Sequence, residues 1–305
     1  MKYNFKLILA LICFLTGLNN DILAQKEAII HSHNDYNQSV PFWNAFANGA
    51  TSFEADIFLK DNNLYVAHNY KDISASKTLE TLYLKPIETV FNMEYKKDKQ
   101  LILLVDIKSD AIKTLNKLVE ILIKHPKIIN NKNIKIIISG NRPKASNYVK
   151  YPDFIFFDYQ ELETVVSSEI WKKIAMVSLN FKQFSEWNGK GRLTHDDEKR
   201  VADVLAKANK TNKPFRFWAS PDSKRSWRVL SEMGVDIINT DHPFKCVSYF
   251  KSLPNRLVTS TTFSEVYKPT FNKDQQDLPV KNIILLIGDG NGLAQISSTA
   301  LANNG

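Results

Sequence analysis

Short apolar segments alternate along this chain with longer amphipathic segments, and this alternation restricts the folds that the chain can adopt. The apolar segments carry Ile, Val and Phe at successive positions, which is typical of strands covered on both faces. Eight such segments predict strands: Ala28–His31, Thr51–Phe58, Leu101–Ile107, Ile134–Ser139, Phe154–Asp158, Met176–Phe181, Phe215–Ala219 and Asp236–Thr240. A further strand is predicted at Leu64–His68, in a hairpin with the second.

Amphipathic segments between the strands predict helices. Apolar residues recur every three or four positions in Ala111–Ile123, His195–Ala208 and Lys224–Met233, and Thr194 with Asp197 predicts the N-cap of the second helix. Eight strands that alternate with helices predict an α/β fold, a closed (β/α)8 TIM barrel. A doubly wound open sheet is the alternative, but the chain lacks the glycine-rich phosphate loop of that fold.

The N-terminus is typical of a secretory signal peptide. Lys2 and Lys6 precede the apolar run Leu7–Leu15, and the small residue Ala24 follows at a suitable distance for cleavage. We therefore expect residues 1–24 to be a signal peptide and the protein to be secreted or periplasmic.

The pattern of strands and helices ends near residue 252, so we expect the barrel to occupy residues 25–252. Residues 253–279 are rich in Pro, Thr, Ser and Asn, which predicts a linker. An apolar strand is predicted at Val280–Ile287. Residues 280–305 are too few for a domain, and we interpret them as the truncated start of a second α/β domain.

The net charge indicates which partners the chain can bind, and the cysteine content indicates whether it can form a disulfide. The formal net charge of +8 is spread along the chain and favours anionic substrates such as phosphoesters or lipid head groups, with transient contact to a membrane surface. No basic helix is interleaved with aromatic residues, so we expect no nucleic-acid binding. After loss of a signal peptide Cys246 is the one remaining cysteine, which excludes an internal disulfide.

Three carboxylates are expected together at the mouth of the barrel. Glu54 and Asp56 lie two residues apart, on one face of a strand, and Asp106 ends the following strand. Carboxylates this close repel each other unless a cation lies between them. With the amide oxygen of Asn34 they would form an oxygen site for one divalent cation, Ca²⁺ or Mg²⁺. The alternative interpretation is a pair of solvated acids at a strand end.

Histidines on the same rim favour the metal interpretation. His33 and His68 can serve as the base and the acid in cleavage of a phosphodiester. His31 shares a strand face with His33, so their spacing does not decide which is the base; His33 is favoured because Asn34 follows it. We expect Lys108, near the end of the strand that carries Asp106, to bind the phosphate.

Several motifs resemble those of barrel phosphodiesterases. Ser32–Tyr36 resembles the Ser-His-Asn-Thr-Tyr stretch of phosphoinositide-specific phospholipases C. Glu54-Ala55-Asp56 followed by His68 resembles the Glu-x-Asp…His motif that those enzymes share with glycerophosphodiester phosphodiesterases and sphingomyelinase D-type enzymes.

Two further stretches extend the resemblance. Asp106–Lys108 resembles the acid-x-Lys motif on the third strand, and Gly234–Pro243 resembles the last strand of glycerophosphodiesterases. The resemblance spans residues 28–250 and includes in particular the branch of altered-inheritance-of-mitochondria protein 6. It implies a metal-dependent phosphoric diester hydrolase that acts on glycerophosphodiesters or phospholipid head groups. It also implies a substrate-binding aromatic at Trp218, metal ligands at Glu54, Asp56 and Asp106, and acid–base catalysis by the histidines.

One departure from the family motivates an alternative function. Glycerophosphodiesterases have His-Arg at the end of the first strand, whereas no arginine follows His31 or His33. The phosphate contact is then lost or comes from Lys108. Asp106 also stands where several relatives have Glu, which can alter the metal preference. The alternative is a catalytically weak barrel that serves as a binding or targeting module for a downstream phosphatase domain.

The C-terminal stretch Asn282–Gly290 resembles the first strand of alkaline phosphatases. In that family the aspartate of the Gly-Asp-Gly motif, here Asp289, binds a metal. The serine nucleophile and the other ligands of that family are expected beyond Gly305.

Overall fold

A computed structural model describes residues 28–93, 100–162, 166–256, 279, 282–285 and 287–302. The predicted signal peptide lies outside these residues, as does the predicted linker apart from residues 253–256 and 279. The chain divides into two compact units between Lys251 and Ser252. Within the described residues, no helix has the length and apolar character needed to cross a membrane.

The first unit is built on parallel strands that close into a barrel. The strands of its described residues are β1 Ile29–Ser32, β2 Ser52–Lys60, β3 Asn63–Val66, β4 Leu101–Ile107, β5 Ile134–Gly140, β6 Ile155–Tyr159, β7 Ile174–Asn180, β8 Phe215–Trp218 and β9 Ile237–Thr240. Each strand except β3 runs parallel to its barrel neighbours, in the order β1-β9-β8-β7-β6-β5-β4-β2. β1 pairs with both β9 and β2, which closes the ring. The predicted (β/α)8 TIM barrel is confirmed.

Helices follow most strands. Those of the described barrel residues are α1 Trp43–Asn48, α2 Lys85–Asn92, α3 Ala111–Ile123, α4 Pro126–Ile129, α5 Ser168–Lys173, α6 His195–Asn209, α7 Lys224–Glu232 and α8 Pro243–Ser252, with a π-helical turn at Glu80–Leu84. Helix α3 has the predicted bounds. The predicted N-cap of α6 is also present, because the Thr194 side chain accepts a hydrogen bond from the Asp197 backbone N–H.

β3 forms the predicted hairpin with the end of β2. The pair Lys60 and Asn63 closes it, and the turn residues Asp61 and Asn62 have positive φ angles of 47° and 60°, which suit a tight hairpin turn. The chain then turns back toward β2, where the Ala67 N–H donates to the Asp56 carbonyl at 3.1 Å. This hairpin brings His68, the next residue, beside the carboxylate of Asp56.

Side chains that point into the barrel divide into an apolar floor and a polar upper layer. One cluster of buried residues forms the floor: Ile102, Leu104, Ile137, Ala175, Met176 and Ile237. Toward the carboxyl ends of β4 and β5 the same face becomes polar, with Asp106 two residues after Leu104 and Ser139 two residues after Ile137, because alternate residues share a face. The polar layer therefore rests on packed hydrocarbon and faces the barrel mouth.

The second unit contains the helix α9 Leu293–Ala302. The strand predicted at Val280–Ile287 is wrong for the residues that the structure describes, since residues 282–285 and 287 are in no strand. Their side chains are exposed, as for Ile283 and Ile284. A strand needs a partner for its backbone N–H and C=O groups, and the described part of this unit offers none.

Candidate functional site

The structure brings together the three carboxylates that were predicted to meet at the barrel mouth. Glu54 and Asp56 project from β2, and Asp106 lies opposite Asp56 in the register of β2 with β4. One oxygen from each carboxylate lies within 4.8 Å of the others. Glu54 and Asp56 are buried and Asp106 is partly buried.

Asp56 is the central member of this cluster. Its Oδ2 atom lies 2.8 Å from the Tyr36 hydroxyl, 3.1 Å from His68 Nδ1 and 3.2 Å from Lys108 Nζ. Its Oδ1 atom is buried and has no hydrogen-bond partner among the described residues. Burial, followed by the charge of Glu54, raises the pKa of Asp56 to about 6. The carboxylate therefore lacks part of the positive charge that would stabilise it.

Lys108 supplies part of that charge. Its ammonium lies 3.1 Å from Asp106 Oδ1, in addition to the contact with Asp56. Burial acts to lower the pKa of Lys108, but the two carboxylates outweigh burial and raise it. Burial also raises the pKa of Asp106. The predicted phosphate-binding lysine thus lies at the site, where its ammonium contacts two carboxylates.

Gly140, at the end of β5, makes room for the Asp106 carboxylate. A Cβ atom on this residue would lie 2.1 Å from Asp106 Oδ1 and 2.6 Å from the Ile107 carbonyl oxygen. Its φ angle of 67° also lies in the left-handed region that favours glycine. No other residue type fits here without displacing the carboxylate.

Asn34 lies beside the cluster, as predicted for a ligand. Its Oδ1 atom accepts a hydrogen bond of 2.6 Å from Tyr36, the hydroxyl that also contacts Asp56. The φ angle of Asn34 is 47°, a left-handed conformation that asparagine tolerates better than most residues. Its amide oxygen and an oxygen of Asp56 therefore converge on one hydroxyl group.

A buried carboxylate fixes the loop that carries Asn34. Asp35 accepts hydrogen bonds from Ser32 Oγ at 2.6 Å, from the Phe42 N–H at 2.6 Å and from the Tyr83 hydroxyl at 3.1 Å. These bonds join the end of β1 to the next turn and to the π-helical segment. The residues after β1 are held in place by this network.

His31 is buried and its ring is fully engaged. Nδ1 lies 2.7 Å from Ser52 Oγ, and Nε2 lies 2.7 Å from Arg216 Nη1 and 2.9 Å from Glu54 Oε2. A guanidinium only donates and a carboxylate only accepts, so Nε2 bonds Arg216 when it is unprotonated and Glu54 when it carries the proton, and it is engaged in either tautomer. Burial, followed by the charge of Arg216, lowers the pKa of His31 to about 4. His31 is therefore a neutral histidine with no ring nitrogen left for substrate.

Arg216 is the functional residue that the sequence analysis missed. It points inward from β8 and its Nη1 atom lies 3.2 Å from Glu54 Oε2 and 3.3 Å from Asn239 Oδ1, besides the contact with His31. Its guanidinium is 4.0 Å from Asp158. A charged residue between two phenylalanines of an apolar strand was the available signal.

Glu54 stays ionised because of these neighbours. Burial acts to raise its pKa, but the hydrogen bond with His31 and the charge of Arg216 outweigh burial and lower it. Oε2 faces Arg216, whereas Oε1 lies 3.8 Å from His33 Nε2. One oxygen of Glu54 is thus held by the arginine and the other lies on the side of His33.

His33 lies at the mouth, with its side chain 32% exposed. Its Nδ1 atom lies 2.7 Å from Asp241 Oδ1, a contact between the ends of β1 and β9. Burial acts to lower the pKa of His33, but the carboxylates of Asp241 and Glu54 outweigh it and the pKa is raised. Asp241 belongs to a motif noted in the sequence, but only the fold shows which residue it contacts.

The other candidate residues lie around the rim. His68 is exposed, and its Nδ1 atom contacts Asp56 and the Tyr36 hydroxyl, the latter at 3.2 Å. Trp218 ends β8; it is partly buried, and its indole N–H has no partner among the described residues. Beside His33 opens a cavity of about 660 Å³. A second cavity, of about 700 Å³, begins at Gly140 and lies on the side of β4 to β6.

Formal charges in the polar layer do not balance. The carboxylates are Glu54, Asp56, Asp106 and Asp158, and the cations that contact them are Lys108 and Arg216. Four negative charges against two positive charges leave an excess that one divalent cation would neutralise. The oxygen donors, the orphaned Asp56 Oδ1 and this excess all fit a hard cation such as Ca²⁺ or Mg²⁺.

Family models match two parts of the chain that contain site residues. The AIM6-like phosphodiesterase domain matches residues 19–99, which include β1, β2 and the hairpin. The glycerophosphoryl diester phosphodiesterase family matches residues 214–243, which include β8 and β9. Both ends of the barrel sequence are therefore similar to known phosphodiesterase families.

Two curated proteins and one solved structure are similar to this chain over a longer stretch than the family models. The altered inheritance of mitochondria protein 6 homolog of Arthroderma benhamiae is 25% identical, over 72% of this chain and 83% of its own length. The corresponding protein of Eremothecium gossypii is 27% identical, over 70% of this chain and 67% of its own length. A crystal structure of a glycerophosphodiester phosphodiesterase from Parabacteroides distasonis has the same fold: the TM-score is 0.51 at 16% identity, over 74% of this chain and 98% of that one.

The fold and these matches support placement in the superfamily of glycerophosphodiester phosphodiesterase barrels. Within that superfamily they support the branch of altered inheritance of mitochondria protein 6.

Proposed function

We propose that this barrel hydrolyses phosphoric diesters with one bound divalent cation. The observation that carries the proposal is the convergence of Glu54, Asp56 and Asp106 around the partnerless Asp56 Oδ1. Histidines on both sides of this cluster add groups that can transfer protons near neutral pH.

The three carboxylates, with the amide oxygen of Asn34, would hold the cation. When bound, the cation polarises a phosphoryl oxygen and stabilises the negative charge that develops on it. Arg216 and Lys108 then act from the protein: Arg216 holds Glu54 in its ionised form, and Lys108 contributes a further positive charge beside the phosphate.

His33 is the base in this proposal. Asp241 accepts a hydrogen bond from Nδ1–H, so that Nε2, which lies 3.8 Å from Glu54 Oε1, would remove a proton from the attacking hydroxyl group. His31 cannot take this role, because Arg216, Glu54 and Ser52 engage its two ring nitrogens. The structure thus supports the preference for His33 that rested on the asparagine after it.

His68 is the acid. Its Nδ1 atom contacts Asp56, and the ring lies exposed at the mouth, where Nε2 can protonate a leaving oxygen. The substrate would be a glycerophosphodiester or the head group of a phospholipid, which a secreted protein meets at a membrane surface. Trp218, at the end of β8, would contact that substrate through its partly buried ring.

The test is hydrolysis of a panel of glycerophosphodiesters by the full chain. The protein is first treated with a chelator and then assayed with Ca²⁺ or Mg²⁺ restored. We expect turnover with one of the two cations, and its loss in Glu54→Gln. Glu120→Gln, an exposed glutamate on α3, is the control and should keep full activity.

The contrary result is a folded protein that binds a cation and turns over no diester. That outcome would favour the alternative, a binding barrel for a downstream domain related to alkaline phosphatases. The alternative was motivated by the missing arginine after β1. In the proposed enzyme, Lys108 at the site would make the phosphate contact that this arginine makes in the family.

A further inference from the structure

The hydroxyl group of Tyr36 lies among three polar groups of the candidate site. It is 2.6 Å from Asn34 Oδ1, 2.8 Å from Asp56 Oδ2 and 3.2 Å from His68 Nδ1. Tyr36 is buried, with 3% of its surface exposed. The proposed metal and acid–base roles do not include this residue, although it contacts two of the four candidate ligands.

Tyr36 stays a hydrogen-bond donor in this position. Burial, followed by the charge of Asp56, raises the pKa of its phenol group. A protonated phenol has one O–H group, so Asn34 Oδ1 and Asp56 Oδ2 compete for a single proton. The buried acceptor that lacks this proton is destabilised unless it has another partner, and a bound cation would be that partner.

The orientation of the Asn34 amide depends on this hydroxyl. Its nitrogen lies on the side of His33 and Asp241, 3.0 Å from His33 Nδ1. Its oxygen points the other way, where Tyr36 donates to it. The backbone of the loop is held separately by the hydrogen bonds of the Asp35 carboxylate, so the contribution of Tyr36 concerns the side chain of Asn34.

Tyr36 also joins two segments that the sheet no longer holds together at this height. Asn34 follows β1, whereas Asp56 lies within β2. The paired residues of β1 and β2 end at Ser32 and Phe53, before either ligand is reached. Beyond that point the Tyr36 hydroxyl contacts a side chain from each segment.

We propose that Tyr36 is a positioning residue of the cation site, whose hydroxyl holds the amide oxygen of Asn34 beside Asp56 so that both oxygens bind one ion. Loss of a group that hydrogen-bonds to metal ligands typically lowers metal affinity by about 10- to 100-fold. The inference rests on the cation of the proposed function. It adds that Asn34 binds this ion only while the hydroxyl of Tyr36 is in place.

Calorimetric titration of Ca²⁺ or Mg²⁺ into the chelator-treated full chain tests this dependence. Tyr36→Phe should lower the affinity for the cation about tenfold. Asn34→Gly removes the amide without strain at its φ angle of 47° and should lower the affinity by a similar factor. The double variant should also lose about tenfold rather than about a hundredfold, because both changes remove the same ligand.

Tyr83→Phe is the matched control for the loss of a buried hydroxyl. Tyr83 is fully buried and donates to Asp35 at 3.1 Å and to the Glu54 backbone carbonyl at 3.3 Å. These contacts are with a carboxylate outside the ligand set and with a main-chain oxygen. The midpoints of thermal denaturation should shift similarly in the two Tyr→Phe variants, whereas only Tyr36→Phe should lower cation affinity. Circular dichroism verifies that both variants are folded.

Unchanged affinity in Tyr36→Phe, with a loss in Asn34→Gly, would overturn the role of Tyr36 and leave the proposed function intact. Additive losses in the double variant would also overturn it, since the hydroxyl would then act without Asn34. Equal losses of affinity in Tyr36→Phe and Tyr83→Phe would reject a specific role in the site. Cation binding with the expected variant effects, in a protein that hydrolyses no diester, would uphold the inference and overturn the proposed function.

Discussion

The guanidinium of Arg216 lies 3.2 Å from the carboxylate of Glu54, and both side chains are almost fully buried. The pair joins β8 to β2 across the interior of the barrel. It leaves one oxygen of Glu54 directed toward His33 and holds the other. The ion pair therefore sets both the charge and the orientation of a candidate metal ligand.

Replacement of this arginine is expected to destabilise the fold. Arg216→Met leaves Glu54 buried without its counter-charge, and breaking such a pair costs about 3–5 kcal/mol in the free energy of unfolding. Urea denaturation followed by circular dichroism measures it. Arg228→Met removes an arginine from an exposed pair with Glu232 and should cost less than about 1 kcal/mol. Similar losses in the two variants would contradict the importance of the buried pair.

The space over Gly140 predicts a second stability effect. Gly140→Ala places a methyl group against Asp106 Oδ1, in a backbone conformation that alanine disfavours. Gly191 has a similar φ angle of 61° and an open surrounding, so Gly191→Ala measures the backbone strain alone. We expect Gly140→Ala to cost about 1–3 kcal/mol more than the control. Calorimetric titration should also show weaker Ca²⁺ or Mg²⁺ binding in Gly140→Ala only; unaltered binding would separate Asp106 from the metal site.

Asp56 predicts a pH dependence of stability in chelator-treated protein. Its pKa is raised from 3.8 to about 6 by burial and by Glu54, so the folded chain binds this proton more tightly than the unfolded chain. The resulting stabilisation is complete below pH 3.8 and is lost as the pH rises through about 6, a change of about 3 kcal/mol.

Urea denaturation of wild type and Asp56→Asn between pH 4 and about 7 isolates the contribution of Asp56 to the free energy of unfolding. The wild type should lose more stability over that range than the variant, and Asp61→Asn, at an exposed turn residue, should follow the wild type. A divalent cation should reduce the loss in the wild type. Parallel curves for wild type and Asp56→Asn would exclude the raised pKa.

His31 in β1 and His33 just after that strand should respond differently to substitution. His33→Gln is expected to lower kcat for a hydrolysed diester about 10²- to 10⁴-fold with a smaller loss of stability than His31→Gln, because its side chain is partly exposed and serves proton transfer. His31→Gln should instead lower the unfolding free energy by about 1–3 kcal/mol, since it disrupts buried hydrogen bonds to Ser52 and Arg216. Steady-state kinetics and thermal denaturation of both variants separate the two roles. Loss of activity in His31→Gln at unchanged stability would reverse the assignment.

The local pattern of apolar residues was sufficient to predict the barrel fold from the sequence. A run such as Leu101–Ile107 is apolar at nearly every position because helices and the barrel interior cover its two faces, so its bounds follow from the sequence. The site carboxylates were predicted for the same reason: spacing along β2 fixes their common face, and strand ends share one rim. Residues 283–285 and 287 show where this reasoning fails, because an apolar run specifies a strand only if a partner is present, and the described part of the second unit offers none.

Contacts between residues on strands that are distant in the sequence could not be predicted from the sequence. Arg216 and His31 are 185 positions apart, and nothing in either segment of the sequence specifies that the guanidinium contacts the Nε2 atom of the histidine. Without that contact, the spacing of His31 and His33 did not distinguish their roles.

Closure of the barrel by β1 and β9 has a consequence for synthesis of the protein. The cluster of Glu54, Asp56 and Asp106 comes from the early part of the chain, whereas the carboxylate partner of His33 lies 208 positions after it. A nascent chain can gather its acidic ligands long before it can orient the base. Since loop closure over such a distance is slow, the proton-transfer pair should be the last part of the site to form on the ribosome.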